Sequence, residues 1–386
     1  MLADKAYGED LINFCRECVK TRSYSDEEGD IARLVVAKMK ELGFDQAYID
    51  PSGNAVGRVG TGPRTVNFDS HMDTVRVNDG ELWDAPPFSG DIKDGFIYGR
   101  GSADMKGGLA ASVFAAALAK KRGWLDGKTV WVTGTVCEEY CDGVGLAHFY
   151  RDSGVKPDFC VICEPSDNVI TLGHTGKVQA RVTTAGVSAH ASAPEKGVNA
   201  VYAMADIIKR VDALNRRLMA APGAGTIVLS DISCVSASLN AVPDKCGIYL
   251  DRRLRPGETT EQARRELDSL IEGISGAAWE PGTLRRKSWT GTELVYEPCH
   301  DPWKISPDHP LTAACRSAFS DVFGAEPDKY GFWDFGTNAV APIGMGVPCI
   351  GFGPGDSKLA HMRNERCRPE QVTAACGFYA ALTKRL

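Results

Sequence analysis

No stretch of this 386-residue chain approaches the ~18 consecutive apolar residues of a membrane-spanning helix, so an integral membrane protein is not expected. The segment Met1 to Asp10 carries charges and no apolar run and does not read as an export signal. A soluble, cytoplasmic protein is the expectation. Excess positive charge is also missing: 44 Lys and Arg against 50 Asp and Glu leave a net charge of -6, with the basic residues spread thinly. Nucleic acid is not the expected partner. No internal repeat or low-complexity tract occurs. The Gly-x-Ser-x-Gly elbow of serine hydrolases is absent. The glycine-rich run Gly351 to Gly355 lacks the following Lys-Ser/Thr of a phosphate loop and reads as a tight turn.

What is present is an ordinary globular composition, 43% hydrophobic and 24% charged, on a chain long enough for about two to three domains. Thirteen cysteines, an odd number, favour reduced thiols over a disulfide framework. The pairs Cys15/Cys18 and Cys160/Cys163 suggest a four-thiolate zinc site, but Phe159 to Cys163 reads as a buried strand. Side chains three apart on a strand face opposite ways, so buried structural cysteine is the better reading.

Apolar positions Ile31, Leu34, Val35, Met39 and Leu42 recur at helical spacing between Glu27 and Phe44, and Gly43 marks the stop. Short apolar runs follow at Thr65 to Phe68, Thr129 to Val136, Phe159 to Ile162 and Pro348 to Phe352. Helical patterns at Met105 to Lys121, Pro310 to Phe323 and Pro369 to Leu386 alternate with them, which predicts an α/β layer architecture. Between about Gly176 and Cys299 the order is strand Val178 to Thr184, helix Asn199 to Arg217, strands Thr226 to Ser236 and Lys245 to Arg253, helix Thr260 to Gly273, and a last strand near Glu293 to Tyr296. That β-α-β-β-α-β order predicts a ferredoxin-like α+β module at residues 176–299, inserted into an α/β domain formed by residues 1–175 and 300–386.

Each of four apolar runs leads into metal-binding residue types: His71 and Asp73, Glu138 and Glu139, Glu164, and His361. Sites in α/β sheets form beyond the carboxyl ends of strands, so these groups should share one cleft. Asp104 stands just before a helix start. Singly, a His-x-Asp or a Glu-Glu is more often a solvated surface feature. Together, imidazole and carboxylate donors suit zinc and related ions, and an aspartate can bridge two of them. A hydroxide held between two such ions is a strong nucleophile at neutral pH.

The ordered motifs resemble the two-zinc amidohydrolases and exopeptidases that include acetylornithine deacetylase, succinyl-diaminopimelate desuccinylase, aminoacylase and glutamate carboxypeptidase. They are Ser70 to Val75, Gly99 to Gly108, Glu138-Glu139, Cys163 to Ser166, Ser188 to Pro194, Asp251 to Pro256 and Ala360 to Glu365, and they cover nearly the whole chain. The resemblance implies a zinc-exopeptidase-like catalytic domain with an inserted lid and dimerisation domain. It implies that His71 and Glu164 bind one divalent ion, Glu139 and His361 the other, and that Asp104 bridges both; zinc is the expected metal, with cobalt or manganese as alternatives. Asp73 would hold the ring of His71, and Glu138 would be the general base. The peptide after Asp104 would be cis. His190 would stabilise the oxyanion from a partner subunit, implying a homodimer, and Asn240 and Arg253 would grip the substrate carboxylate. The bland reading of Arg253 is an ion pair inside Asp251-Arg252-Arg253, and that of His190 a capping residue on the lid. His148, His174, His300 and His309 match no motif and read as surface or packing residues.

Where the family usually has Ala-His-Thr this chain has Ala-His-Met, and Phe332 to Asn338 departs from the common form. Phe332 to Asn338 and Lys287 to Gly291 resemble a branch whose bacterial members are often called selenium-metabolism hydrolases or deacetylases. The function implied is hydrolysis of an amide bond in a small N-acyl amino acid or peptide-like substrate bearing a free carboxylate. An aminopeptidase or dipeptidase on the same scaffold is the alternative, and a non-catalytic binding protein of this fold the third reading. Glu164 favours the first, because the aminopeptidases of the family tend to carry aspartate there.

Overall fold

The structure is a computed structural model and describes residues 5–386. The expectation that Met1 to Asp10 is not an export signal falls partly outside the described residues; from Lys5 the chain is the helix Lys5–Lys20, whose Leu11, Phe14, Cys15, Cys18 and Val19 are buried. Among the described residues, no helix is long and apolar enough to cross a membrane. All thirteen cysteines are free, and most are buried.

Among the described residues the chain builds four sheets, and the two largest have separate cores. The larger has nine strands. At its centre Arg64–His71 runs parallel to Lys128–Thr135 on one side and to Phe159–Ile162 on the other, and Cys349–Gly351 continues the parallel set beyond Phe159–Ile162. These strands read as short apolar runs because they are covered on both faces, as parallel strands usually are. The helices Gly107–Lys121 and Pro369–Arg385 are buried along most of their length. Thirteen residues of Gly107–Lys121 are buried, which small alanine and glycine side chains permit by letting neighbouring elements approach closely.

The second sheet is antiparallel, in the order Thr226–Val235, Lys245–Leu254, Gly176–Ala185, Ala277–Pro281. Alternation along Lys245–Leu254 and Gly176–Ala185 directs Cys246, Ile248, Leu250, Val178, Ala180 and Val182 toward the helices Ala200–Ala220 and Thr260–Ile271, giving this sheet its own core. The last strand expected for this sheet, near Glu293 to Tyr296, lies outside it. The fourth strand of the sheet is Ala277–Pro281, paired to Gly176–Ala185, whereas Glu293–Tyr296 pairs with Leu284–Lys287 in a separate hairpin. Leu294 of that hairpin is buried in the core of the larger sheet, and Trp289 packs against the same core. Ala277–Pro281 is a half-exposed edge strand that ends in proline, so its apolar signal is weak. Three α-helices among the described residues have no counterpart in the sequence pattern: Lys5–Lys20, Val144–Ser153 and the short Val340–Gly344.

Candidate metal centre

The four parallel central strands finish along one edge of the larger sheet, and their continuations converge. His71, the last residue of its strand, is buried, with Nε2 3.0 Å from Asp104 Oδ1 and 3.6 Å from Glu164 Oε1. On the other side, His361 Nε2 lies 2.9 Å from Glu139 Oε2 and 3.4 Å from Asp104 Oδ2. The donors thus form two sets, each with one histidine and one glutamate, and the two oxygens of Asp104 are divided between them. Donor atoms of His71, Glu138 and Glu164 lie within 4.8 Å of one another, as do those of His71, Asp104 and Glu139. A cleft of about 330 Å³ opens onto this cluster, lined among others by Asp104, Glu138, Glu139, Glu164, Arg253 and His361.

Local backbone chemistry explains how the groups are held. Cys137 and His361 both adopt left-handed backbone conformations, at φ of 57° and 62°, unusual for residues that are not glycine and typical of functional turns. The turn after Cys137 is clamped by acidic side chains. Glu28 Oε1 accepts the N–H of Cys137 at 3.0 Å, and Asp73 accepts those of Glu138 at 3.0 Å and Glu139 at 3.2 Å. The hydroxyl of Ser25 also donates to Asp73, at 2.6 Å. The ring of His71 is fixed by Nδ1 hydrogen-bonding to the main-chain oxygen of Asp73 at 2.9 Å, while the nearest Asp73 carboxylate oxygen is 3.7 Å away. Asp73 therefore orients the histidine through its backbone and the Glu138-Glu139 turn through its side chain. The Asp104–Met105 peptide is cis. Gly353 approaches the Glu164 segment so closely that a Cβ there would stand 2.3 Å from the carbonyl oxygen of Cys163 and 2.4 Å from that of Glu164. Only glycine fits.

The electrostatics follow from crowding acids in a dry place. Burial drives the Glu138 and Glu164 carboxyls well above their ordinary range, with His71 opposing and neighbouring carboxylates adding to the rise. Glu139 is raised by burial and by Asp104. For Asp104 burial acts upward too, yet His361 and His71 outweigh it and hold the group below its usual value. Burial works against a proton on His71, but Glu164 and Asp104 pull its pKa well above normal. Hydrogen bonds to Asp104 and Glu139 push His361 up to about 10. Such mutually repelling acids are relieved by bound cations, and histidine nitrogen with carboxylate oxygen is a donor set for zinc-type ions. The residues fit divalent metal ions.

Not every residue singled out in the sequence lies here. Arg253 faces the cleft, but its Nε and Nη2 are engaged by Asp251 at 2.8 and 2.9 Å. His190 and Asn240 are exposed together on the second sheet's connections, where Ala191 N–H donates to Asn240 O at 2.8 Å. Neither is among the described residues lining the cleft. His148 hydrogen-bonds Ser52, and His309 caps the helix Pro310–Phe323. His300 is more than a packing residue: it stands 3.5 Å from Asp142, which lines the cleft, and stacks on buried His174. Sequence reasoning also missed Glu28, Arg100 and Glu365. The last two stand inside motifs it quoted, and the signal was a charged residue next to ligand positions in a buried context.

The sequence profile of Peptidase family M20/M25/M40 matches residues 67–385. The chain is 39% identical over 386 residues to the uncharacterized protein YgeY of Escherichia coli (strain K12), covering 98% of this chain and 94% of that one. It is 26% identical to a succinyl-diaminopimelate desuccinylase of Stenotrophomonas maltophilia (strain R551-3), covering 97% and 99%. Among solved structures, the aminopeptidase PepT of Bacillus cereus has a TM-score of 0.72 at 22% identity, covering 98% of both chains. The YXEP protein of Bacillus subtilis, a dinuclear metal binding peptidase of the M20 family, has a TM-score of 0.69 at 16% identity, covering 99% and 98%. The two structures share the fold; the profile, together with a relative well above 30% identity over nearly the whole chain, places the chain in Peptidase family M20/M25/M40.

Proposed function

We propose that this chain hydrolyses an amide bond in a small N-acyl amino acid or peptide-like substrate bearing a free carboxylate. The observation that carries this reading is the division of Asp104, with one oxygen toward His71 and Glu164 and the other toward His361 and Glu139. That arrangement suits two divalent ions, zinc by preference with cobalt or manganese as alternatives, held by His71, Glu164, Asp104, Glu139 and His361. When bound, such ions supply Lewis acidity and make water acidic enough to react at neutral pH.

The protein's own groups do the rest. Glu138, buried beside His71 and Glu164 on a turn fixed by Asp73, takes a proton from the attacking water onto its carboxylate and delivers it to the departing amide nitrogen. Its burial favours the protonated form that the second step needs. Arg253 offers the substrate carboxylate the donors that Asp251 leaves free. A cleft of about 330 Å³ suits a small substrate.

His190 and Asn240 sit on an exposed part of the second sheet, which we take as the lid, with boundaries near residues 176 and 299. The neighbouring edge strand Thr226–Val235 exposes Val228, Ile232 and Val235 and has no partner on its outer side among the described residues. An unpaired apolar edge favours pairing with a second copy. We place His190 and Asn240 in the partner's site of a homodimer formed through this lid, His190 stabilising the oxyanion and Asn240 the carboxylate.

A panel of N-acetyl, N-succinyl, N-formyl and N-carbamoyl amino acids and dipeptides, assayed with zinc, cobalt or manganese, tests the reading. The expected result is turnover of compounds with a free carboxylate and little turnover of their carboxamides. Preference for peptides with a free amino group and a blocked carboxyl would favour the aminopeptidase alternative instead.

A further inference from the structure

The cleft holds a cation that the metal chemistry does not use. Lys177 is the second residue of the lid strand Gly176–Ala185 and stands directly opposite Arg253 in the antiparallel register with Lys245–Leu254. Both line the cleft with the metal donors. Like charges directly across two strands repel, so each needs a counter-charge. Arg253 takes its own from Asp251, on the same strand. Lys177 takes its own from across the cleft: Nζ lies 3.0 Å from Asp142 Oδ1 and 2.7 Å from Oδ2. Asp142 follows Glu139 by three residues, so the turn that carries the general base also tethers the lid cation. The ring of Tyr296, 5.5 Å from Nζ, supports it from another side.

A lysine ammonium has three donors and no acceptor. The two oxygens of Asp142 use at most two, which leaves one for a group inside the cleft. The side chain is only 11% exposed, so an anion meeting it there forms a charge-assisted hydrogen bond in a site largely shielded from water. A neutral amide oxygen gains much less. A lysine held only to stitch the lid to the other core would require no place on the cleft wall.

We propose that Lys177 is a substrate-binding residue that receives the substrate's free carboxylate together with Arg253, and that Asp142 is the positioning residue that aims it. This rests on the reading above only in requiring a substrate whose carboxylate lies near the scissile amide. The test uses a probe that cannot be hydrolysed, 2-benzyl-4-oxopentanoate, in which CH2 replaces the N–H of N-acetylphenylalanine, alongside its carboxamide. Calorimetry on the zinc-loaded full-length protein gives both dissociation constants, with thermal melts and metal content confirming that each variant is folded and loaded. Wild type should prefer the carboxylate; Lys177→Met should weaken carboxylate binding by about 10- to 100-fold and leave the carboxamide within about twofold. Lys177→Arg should keep part of the preference, and Lys177→Gln replaces Lys177→Met if that variant does not fold. Equal losses for both probes, no loss, or no carboxylate preference in wild type would each overturn the assignment. Turnover of the acyl amino acid panel is scored separately, so failure there removes the proposed activity without removing a Lys177-dependent carboxylate preference, and the reverse also holds.

Discussion

Glu365 Oε1 accepts the backbone N–H of Asp104 at 3.0 Å, so the residue that divides its oxygens between the two donor sets is held by a second, fully buried carboxylate. The same oxygen accepts the N–H of Ala103, and Glu365 Oε2 pairs with Arg100 at 2.7 Å. Arg100 in turn donates to the main-chain oxygens of His361 and Met362, each at 3.3 Å. One buried ion pair thereby orients a residue of both donor sets.

Glu365→Ala leaves Arg100 buried without its counter-charge and two N–H groups without an acceptor. Breaking a buried pair from one side typically costs about 3–5 kcal/mol. Denaturant unfolding should show a loss of that order, and elemental analysis should show reduced metal retention. A variant as stable as wild type with full metal content would mean that Glu365 does not organise the centre.

The purified protein should hold up to two divalent ions per chain and lose activity to chelators. Binding should also raise the melting temperature, because an ion that binds the folded state alone stabilises it by mass action. No bound metal, with activity indifferent to chelation, would refute the two-ion assignment.

Glu138→Gln and His361→Ala should separate base from ligand. The first should retain metal and fold while turnover falls by at least about 10²-fold, the scale of a lost general base. The second should lower metal occupancy. Near wild-type turnover in Glu138→Gln would take Glu138 out of the mechanism.

What could be read from the sequence was the end of each central strand, because a covered parallel strand gives an uninterrupted apolar run and a polar residue after it stands out. Thr65 to Phe68 before His71 and Phe159 to Ile162 before Glu164 are of this kind. The supports of the site were not legible in the same way. Glu28 and Cys137 are more than a hundred positions apart, and a carboxylate that caps a distant backbone N–H leaves no local periodicity. Lys177, at the start of an amphipathic strand, looks like any solvated lysine until the register sets it beside Arg253. The lid strand Ala277–Pro281 was lost for the opposite reason: it is half exposed, and the more apolar Glu293–Tyr296 drew the assignment although it packs on the other core.

His190 is exposed and lies outside its own chain's cleft lining, which makes its role a question about two chains. Nδ1 accepts the N–H of Ser192 at 3.1 Å, a contact that fixes the ring and leaves Nε2 to act as a donor elsewhere. If that donor serves the partner's oxyanion, His190→Ala should lower turnover by about 10²-fold or more with metal content unchanged, as for loss of an oxyanion-hole donor. A capping role would change stability and leave turnover alone. Mixing subunits distinguishes action in trans from action in cis. A His190→Ala chain combined with a Glu138→Ala chain should regain activity, because one site of the mixed dimer then pairs an intact Glu138 with an intact His190 from the other chain. If demonstrated subunit exchange brings no recovery, His190 acts within its own chain or not at all, and the exposed strand Thr226–Val235 loses its assignment as the dimer edge that delivers it.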